Sequence, residues 1–227
     1  MSKGSQVRTM FDQLAPRYDL MNRVMTLGQD MRWRRFVVDK AHLNNGDRVL
    51  DLASGTGDIA FEVKSRYPDS RVFAADFSLG MLHQGKRRKG GDSLVWVACD
   101  AQHLPFEDHS FDAVTFGYLL RNVESIPVAL KEINRVLKPG GRVVCLDTMP
   151  PPAGLMAPFV RLYLKYGLPI LGRLIAGDTG SYTYLSDSTL GFQEPKALAR
   201  LFEEAGFQAT HWRTYMFQTI AVHWATC

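Results

Sequence analysis

Two periods of hydrophobic and polar positions divide this chain. Over residues 6–44 the period is helical: Val7, Met10, Phe11 and Leu14 share one face, Pro16 interrupts them, and Leu20, Met21, Val24, Met25 and Leu27 resume. Trp33, Phe36 and Val37 then precede the turn Asn44-Asn45-Gly46-Asp47. From 48 to 147 short apolar runs alternate with helical segments. Runs at 49–52, 71–76, 94–101, 111–117 and 142–146 predict strands, and the apolar run at 49–52 suits a strand covered on both faces of a parallel sheet. The helices between them supply right-handed crossovers, and Pro139-Gly140-Gly141 turns the chain into the fifth strand. Residues 148–190 read as a Pro- and Gly-rich insertion full of Leu, Met, Phe and Tyr. Glu194 to Ala205 predicts an amphipathic helix stopped by Gly206, and strands near 207–212 and 215–224 complete the sheet. The expected fold is α/β: a doubly wound, seven-stranded, mostly parallel sheet with N-terminal helices and a helical insertion before the last helix and strands. At 227 residues the chain suits one domain over 1–227. Its parts are an N-terminal helical lid (6–44), a cofactor-binding core (48–147), an apolar substrate-side insertion (148–190) and a C-terminal helix with strands (191–227).

Chemistry concentrates at Val49-Leu50-Asp51-Leu52-Ala53-Ser54-Gly55-Thr56-Gly57-Asp58, an apolar strand entering a Gly-rich turn. Gly55 and Gly57 let the backbone approach a ligand and start a helix near Asp58. In doubly wound sheets such a turn lies where nucleotide-like molecules bind. The segment Gly55-Thr56-Gly57-Asp58-Ile59-Ala60 also fits a dinucleotide fingerprint, with Asp76 at a suitable distance for a ribose, so a nicotinamide-dependent oxidoreductase competes. Asp51 separates the two readings. A pyrophosphate sits badly beside a carboxylate at the strand end, whereas the ammonium of an amino acid is attracted to it. S-adenosyl-L-methionine carries that ammonium, a ribose diol and no phosphate. Asp51 and Asp76 therefore favour it. Asp100, after the third strand, is expected to accept the adenine amino group, and Gly117, closing the fourth, enters the space beneath. Ser54, Gly55 and Gly57 in the turn and Phe77 after the second strand complete the expected set.

Composition changes little. The chain is 46% hydrophobic and 22% charged, as ordinary globular proteins are. A net charge of +4, with no interleaving of aromatic and basic residues, argues against a nucleic-acid partner. The run Lys86-Arg87-Arg88-Lys89 reads as a solvated helix end. Cys99, Cys145 and Cys227 show no paired spacing and no His/Cys cluster, so neither a disulfide framework nor a metal is expected. The N-terminus lacks an apolar signal region, and no run of about 18 apolar residues occurs. The expected location is cytoplasmic, with peripheral contact at the inner face of the membrane left open.

Further segments carry a resemblance. They are the stretch Met10-Phe11-Asp12-Gln13-Leu14-Ala15-Pro16-Arg17-Tyr18-Asp19-Leu20-Met21-Asn22, then Trp33-Arg34, Leu104-Pro105-Phe106, Leu120-Arg121-Asn122-Val123, Arg135-Val136-Leu137-Lys138-Pro139-Gly140-Gly141, Ser181-Tyr182, Tyr184-Leu185 and Glu204-Ala205-Gly206-Phe207. Nearly throughout its length the chain resembles the bacterial menaquinone/ubiquinone biosynthesis C-methyltransferases, class I S-adenosylmethionine-dependent enzymes of Rossmann-like fold. The Gly turn and Pro-Gly-Gly mark only the superfamily; Tyr-Asp-Leu-Met-Asn and Leu-Arg-Asn-Val are far more specific. The resemblance implies C-methylation of a reduced quinone ring, demethylmenaquinol or a polyprenyl-benzoquinol. It also implies cofactor contacts at Thr56, Asp76, Asp100, Ala101 and position 117. The family usually carries Ser at that last position and Phe-Gly-Leu before Arg-Asn, where this chain has Gly117, Tyr118, Leu119 and Leu120. That departure keeps a small aromatic or polyketide-like metabolite as the alternative acceptor.

Methylating a ring carbon requires an electron-rich ring, so the enzyme must favour a phenolate. Arg121 is the leading candidate, stabilising that charge while remaining protonated, with Asn122 helping it hold a water that carries the proton away. The other reading of Arg121 is a structural ion pair near a helix start. Tyr182, Asp178 and Tyr184 offer a hydrogen bond or a base, and Tyr18 and Asn22 part of a lid over the cofactor. His83, His103 and His109 lack orienting partners and read as surface residues. The apolar excess of the insertion suits an isoprenoid tail, a membrane surface met with Arg161, Lys165 and Arg173, or packing on the sheet or on a second copy, so a homodimer stays open.

Overall fold

The computed structural model describes residues 3–176 and 180–227; Asp178, offered above as a base, lies outside them. Its strands are β1 (Arg48–Leu52), β2 (Arg71–Asp76), β3 (Val95–Ala98), β4 (Phe111–Gly117), β5 (Leu137–Thr148), β6 (Gln208–Tyr215) and β7 (Ile220–Thr226). They form one seven-stranded sheet in the order β3-β2-β1-β4-β5-β7-β6. Pairing is parallel from β3 to β5, with Leu50 opposite Phe73 and Val114, and antiparallel where β7 meets β5 and β6. The chain order reverses beside β1, between β2 and β4. A crevice therefore opens at the carboxyl ends of these strands, which is where open α/β sheets bind ligands.

Alternate residues of the central strands belong to two apolar layers. Leu50, Leu52, Phe73 and Val114 pack with α6 (Ile126–Val136) and α10 (Pro195–Glu204) through Leu130, Ile133, Leu198 and Phe202. Val49, Val72 and Ala74 pack with α3 (Asp30–Ala41) and α4 (Asp58–Arg66) through Trp33, Val37, Ile59 and Val63. Burial on both faces explains why β1 and β4 read as largely apolar runs, broken by Asp51 in β1 and by Asp112 and Thr115 in β4. Two more helices, α1 (Lys3–Leu14) and α2 (Tyr18–Met25), break at Pro16, and α1 packs on α5 (Leu79–Arg87). The 148–190 segment folds as α7 (Ala157–Leu162), a π turn (Tyr163–Gly167), α8 (Leu168–Ala176) and α9 (Gly180–Leu190).

Three boundaries differ from expectation. β3 ends at Ala98 instead of continuing to Ala101, because it is the partly exposed edge of the sheet and Asp100 turns back to bridge His103. β5 begins at Leu137, before Pro139-Gly140-Gly141, and its register against β4 shifts between Phe111 and Ala113. There Gly140 takes φ +77, its N–H donates to Cys227, and Cys227 donates to Gly141, so the end of β7 replaces a free turn. The last hairpin turns at Met216-Phe217-Gln218, all at positive φ, not near 213–214. No glycine marks that turn in the sequence, so its position was not legible. Among the described residues no helix is long and apolar enough to cross a membrane.

Candidate active site

The Gly turn enters its helix through three left-handed residues, Ala53 (φ +48), Gly55 (φ +56) and Gly57 (φ +91). Alternate positive φ turns successive peptide groups inward, and Ala53 holds such a conformation without being glycine. The turn is tied to its neighbours on every side. Ser54 donates its N–H to the Ala75 carbonyl, and Gly55 donates to Asp76 Oδ2 at 2.8 Å, while Ser78 donates to Asp76 Oδ1 at 2.7 Å. Asp51 is buried and accepts from Thr115 Oγ1 at 2.8 Å and from the Ala60 N–H at 3.2 Å. Both acids thus have a structural anchor in addition to the ligand role expected of them. Burial pushes Asp51 up to about 7 against those two hydrogen bonds, and Asp76 up to about 6 against bonds from backbone N–H groups.

Above the turn lies a cavity of about 310 Å³. Gly55, Asp76, Phe77, Asp100, Ala101 and Gly117 line it, together with Tyr18 and Tyr118, and Val7, Arg8 and Phe11 of α1 form its outer wall. Asp100 Oδ1 accepts from the Gln102 N–H at 2.8 Å, which shapes the loop after β3. A Cβ built on Gly117 would meet Ile59 Cδ1 at 3.5 Å, an ordinary contact, so a serine would fit there and the departure at 117 leaves the cavity's shape intact. A side cavity of about 30 Å³ joins Asp51, Ser54, Gly55 and Thr56 to Arg34 of α3, with Tyr18 and Tyr118 again on its wall. The Ser54 hydroxyl is buried there with no hydrogen-bond partner among the described residues. Asp51 and Asp58 face Arg34 across this small space, two acids and one base, which suits the ammonium of an amino acid better than a pyrophosphate.

A second cavity of about 120 Å³ lies beyond Phe11, Tyr18 and Tyr118, which line both spaces. Its walls are mainly apolar: Leu14, Met21, Met25, Leu164, Leu168 and Leu185, with Tyr182 and Tyr184 of α9. Arg121 is the charged side chain on it. The residue is buried; its guanidinium donates to Asp147 Oδ1 at 2.6 Å and stands 4.9 Å from the centre of the Tyr118 ring. Asp147 also accepts from the N–H groups of Leu120 and Thr148, so the end of β5 grips the loop that follows β4. Burial raises the Asp147 carboxyl while Arg121 opposes it. Arg121 is thus half of a buried ion pair, and it also faces a cavity. Asn122 donates from Nδ2 to the Tyr118 carbonyl and accepts at Oδ1 from Tyr184 at 3.0 Å. Tyr182 is buried against Met21 and Leu168. Asn22, on the same cavity, sets its amide beside the Tyr18 hydroxyl, which opposes the upward push of burial on that phenol.

Several placements were not foreseen. Lys86, Arg87 and Lys89 are exposed, but Arg88 is only partly so: it donates to the Thr56 carbonyl at 3.0 Å and to Asp58 at 2.7 Å. Asp58 also meets Arg34 at 2.9 Å and Arg23 at 3.3 Å, and Arg23 and Arg34 both pair with Asp30. Burial opposes ionisation of Asp58, but Arg34 and then Arg88 hold it below the usual carboxylate range. Asp19 accepts from Thr56 Oγ1 at 2.7 Å, and Asp12 accepts from Ser78 Oγ and the Gly80 N–H, so α1 and α2 are strapped across the cofactor side. Arg34 was legible only as part of Trp33-Arg34; nothing in its local pattern foretold a place opposite Asp51. His83, His103 and His109 are exposed and line neither the cavity above the Gly turn nor the one at Arg121; His103 lies on a separate open depression with Lys131 and Glu132.

The ubiE/COQ5 methyltransferase family matches residues 1–227. The chain belongs to this family. A curated relative, the ubiquinone/menaquinone biosynthesis C-methyltransferase UbiE of Desulfotalea psychrophila, is 54% identical over 224 residues, 99% of this chain and 91% of the relative. The demethylmenaquinone methyltransferase of Deinococcus radiodurans is 43% identical over 217 residues, 95% of this chain and 90% of the relative. A solved phosphoethanolamine N-methyltransferase 2 of Haemonchus contortus, bound to S-adenosylhomocysteine, superposes with a TM-score of 0.66 at 16% identity. That match spans 86% of this chain and 52% of the other, and it shows the fold alone. Family membership makes this chain an S-adenosylmethionine-dependent methyltransferase and leaves the nicotinamide reading without support.

Proposed function

We propose that this enzyme methylates a ring carbon of a reduced, polyprenylated quinone, a demethylmenaquinol or polyprenyl-benzoquinol, drawn from the inner face of the membrane. One observation carries the reading. A cavity with Asp76 and Asp100 on its wall and one without an acid meet at Phe11, Tyr18 and Tyr118, and Arg121 lines the acid-free one among the described residues. The cofactor would be held by Asp51 at its ammonium, Arg34 at its carboxylate, Asp76 at its ribose diol, and Asp100 and Ala101 at its adenine, with Phe77 beside them. The unpaired Ser54 hydroxyl and Thr56 offer further polar contacts at the turn. When bound it supplies an electrophilic methyl group. The remaining work falls to this chain.

A quinol carbon becomes nucleophilic when the neighbouring hydroxyl loses its proton. The Arg121 guanidinium, fixed in position by Asp147, stabilises the phenolate by charge from a buried site. Asn122, held by Tyr184 and by the Tyr118 carbonyl, steadies the water that removes the proton. Asn22, beside the Tyr18 hydroxyl, offers its amide to the second ring oxygen, and Tyr182 bounds the ring. Leu164, Leu168 and the methionines of α2 provide the apolar wall a tail needs.

The test is methyl transfer from labelled cofactor across a panel of reduced quinones and simple phenols. Arg121→Ala is expected to keep cofactor affinity within about twofold while turnover on a quinol falls by about 100-fold. Because that change leaves Asp147 buried and unpaired, Arg121→Lys serves beside it, keeping the charge but not the fork. Undiminished turnover in both variants would remove Arg121 from the reaction. Transfer to simple phenols but to no quinone would favour the small aromatic acceptor instead.

A further inference from the structure

The outward face of the 157–176 helical segment is unlike a solvated one. Leu155, just before it, is 90% exposed and Phe159 is 64% exposed; Leu162, Tyr166 and Ile170 are each more than half exposed. Their steps of three and four residues put them on one stripe that crosses the π turn from α7 into α8. Arg161, Lys165 and Arg173, also exposed, fall at four- and eight-residue steps and make a second stripe. Residues 148–177 contain no Asp or Glu. The inward side is apolar too, since Leu164 and Leu168 line the smaller of the two large cavities. Two other segments on that cavity also present large apolar groups to the outside: Leu27, next to Thr26, is 85% exposed and Phe217, next to Met216, is 71% exposed.

We propose that this face docks on an anionic lipid surface. The 157–176 segment lies in the plane of the interface, with its apolar stripe at the acyl boundary and Arg161, Lys165 and Arg173 among the headgroups. The proposal rests on the quinol reading and specifies its partner: the helix that walls the acceptor cavity also contacts the phase in which a polyprenylated acceptor dissolves. A second copy of this chain fits less well. A two-fold contact would set three cations against the same acid-free stripe of the partner, with no carboxylate from it to meet them.

Co-sedimentation of the full chain with vesicles tests this. We expect binding to phosphatidylcholine vesicles that contain phosphatidylglycerol, weaker binding to phosphatidylcholine alone, and a decline with salt. Phe159→Asp together with Leu162→Asp should lower partitioning by at least about tenfold. Arg161→Glu with Lys165→Glu should abolish the preference for phosphatidylglycerol. These positions are exposed, so turnover on a tail-less quinol without vesicles should be unchanged, while turnover on a polyprenylated quinol in vesicles falls with binding. A wild-type protein that stays in the supernatant, or Asp variants that bind equally well, would overturn the proposal. So would a wild-type dimer that Phe159→Asp splits while neither form binds lipid. Vesicle binding without transfer to any quinol would sink the quinol reading and leave the docking face standing.

Discussion

Asp51 shows how one residue serves both fold and site. Its carboxyl accepts from Thr115 and Ala60, which joins β1 to β4 and to the start of α4, and it also lines the small cavity opposite Arg34. Burial holds it at about 7, against an ordinary 3.8. Between those values the unfolded chain has released a proton that the folded chain retains. The contribution of Asp51 to the stability of the ligand-free protein therefore falls as pH rises from about 4 to about 7 and levels off above, opposite in sign to that of Asp58, whose carboxyl is held low. An ammonium in the small cavity favours the ionised carboxylate. Cofactor affinity is thus expected to rise with pH by up to about tenfold per unit through this range, with a proton released on binding, until the ligand's own amine titrates near about 8. Calorimetry in buffers of different ionisation heat reads both quantities. Asp51→Asn should flatten the dependence, and a wild-type affinity that does not change with pH would exclude Asp51 as the ammonium partner.

At the scale of elements, the Gly turn depends on how closely α5 and β3 approach it. A Cβ on Gly85 of α5 would lie 2.2 Å from the Trp96 ring and 2.9 Å from the Thr56 carbonyl. Trp96 is also fixed by its Nε1 donating to the Gly91 carbonyl at 2.8 Å. Alanine would raise helix propensity by about 1 kcal/mol, but the overlap with a rigid ring and a backbone carbonyl outweighs that gain. Gly85→Ala is expected to destabilise the protein by about 1–2 kcal/mol in urea melts and to weaken cofactor binding, because relief requires α5 or the turn to move. A variant as stable as wild type would show that this approach has slack. The straps from Asp12 to α5 and from Asp19 to Thr56 belong to the same level. They hold Tyr18 and Phe11 between the two cavities, although neither helix belongs to the sheet.

At the scale of the molecule, the cofactor cavity draws residues from β1, β2 and β4, from the loop after β3, and from α1 and α2. A ligand that fills it ties the N-terminal helices to the sheet. S-adenosylhomocysteine at about 100 times its dissociation constant should stabilise the native state by about 2.7 kcal/mol, seen as a rise in Tm, and NADH should give none. A rise with NADH alone would reverse the choice made between the two cofactors at Asp51 and Asp76.

The sequence alone determined the order of strands and helices, the Gly turn, the acids at 51, 76 and 100, and the two segments around Tyr18 and Arg121. Those are local signals: a strand covered on both faces must be apolar, a left-handed turn favours glycine, and an acid at a strand's end stands out against such a background. Only the tertiary structure decided which cavity each residue faces. Arg88 reads as a solvated helix end until α5 brings it to Asp58, and Arg34 gains its place opposite Asp51 only because α3 packs on α4. The last hairpin follows the same logic, since Met216, Phe217 and Gln218 take positive φ without any glycine to announce it. Contacts between segments remote in sequence arise from packing of whole faces, and periodicity within one segment carries no record of them.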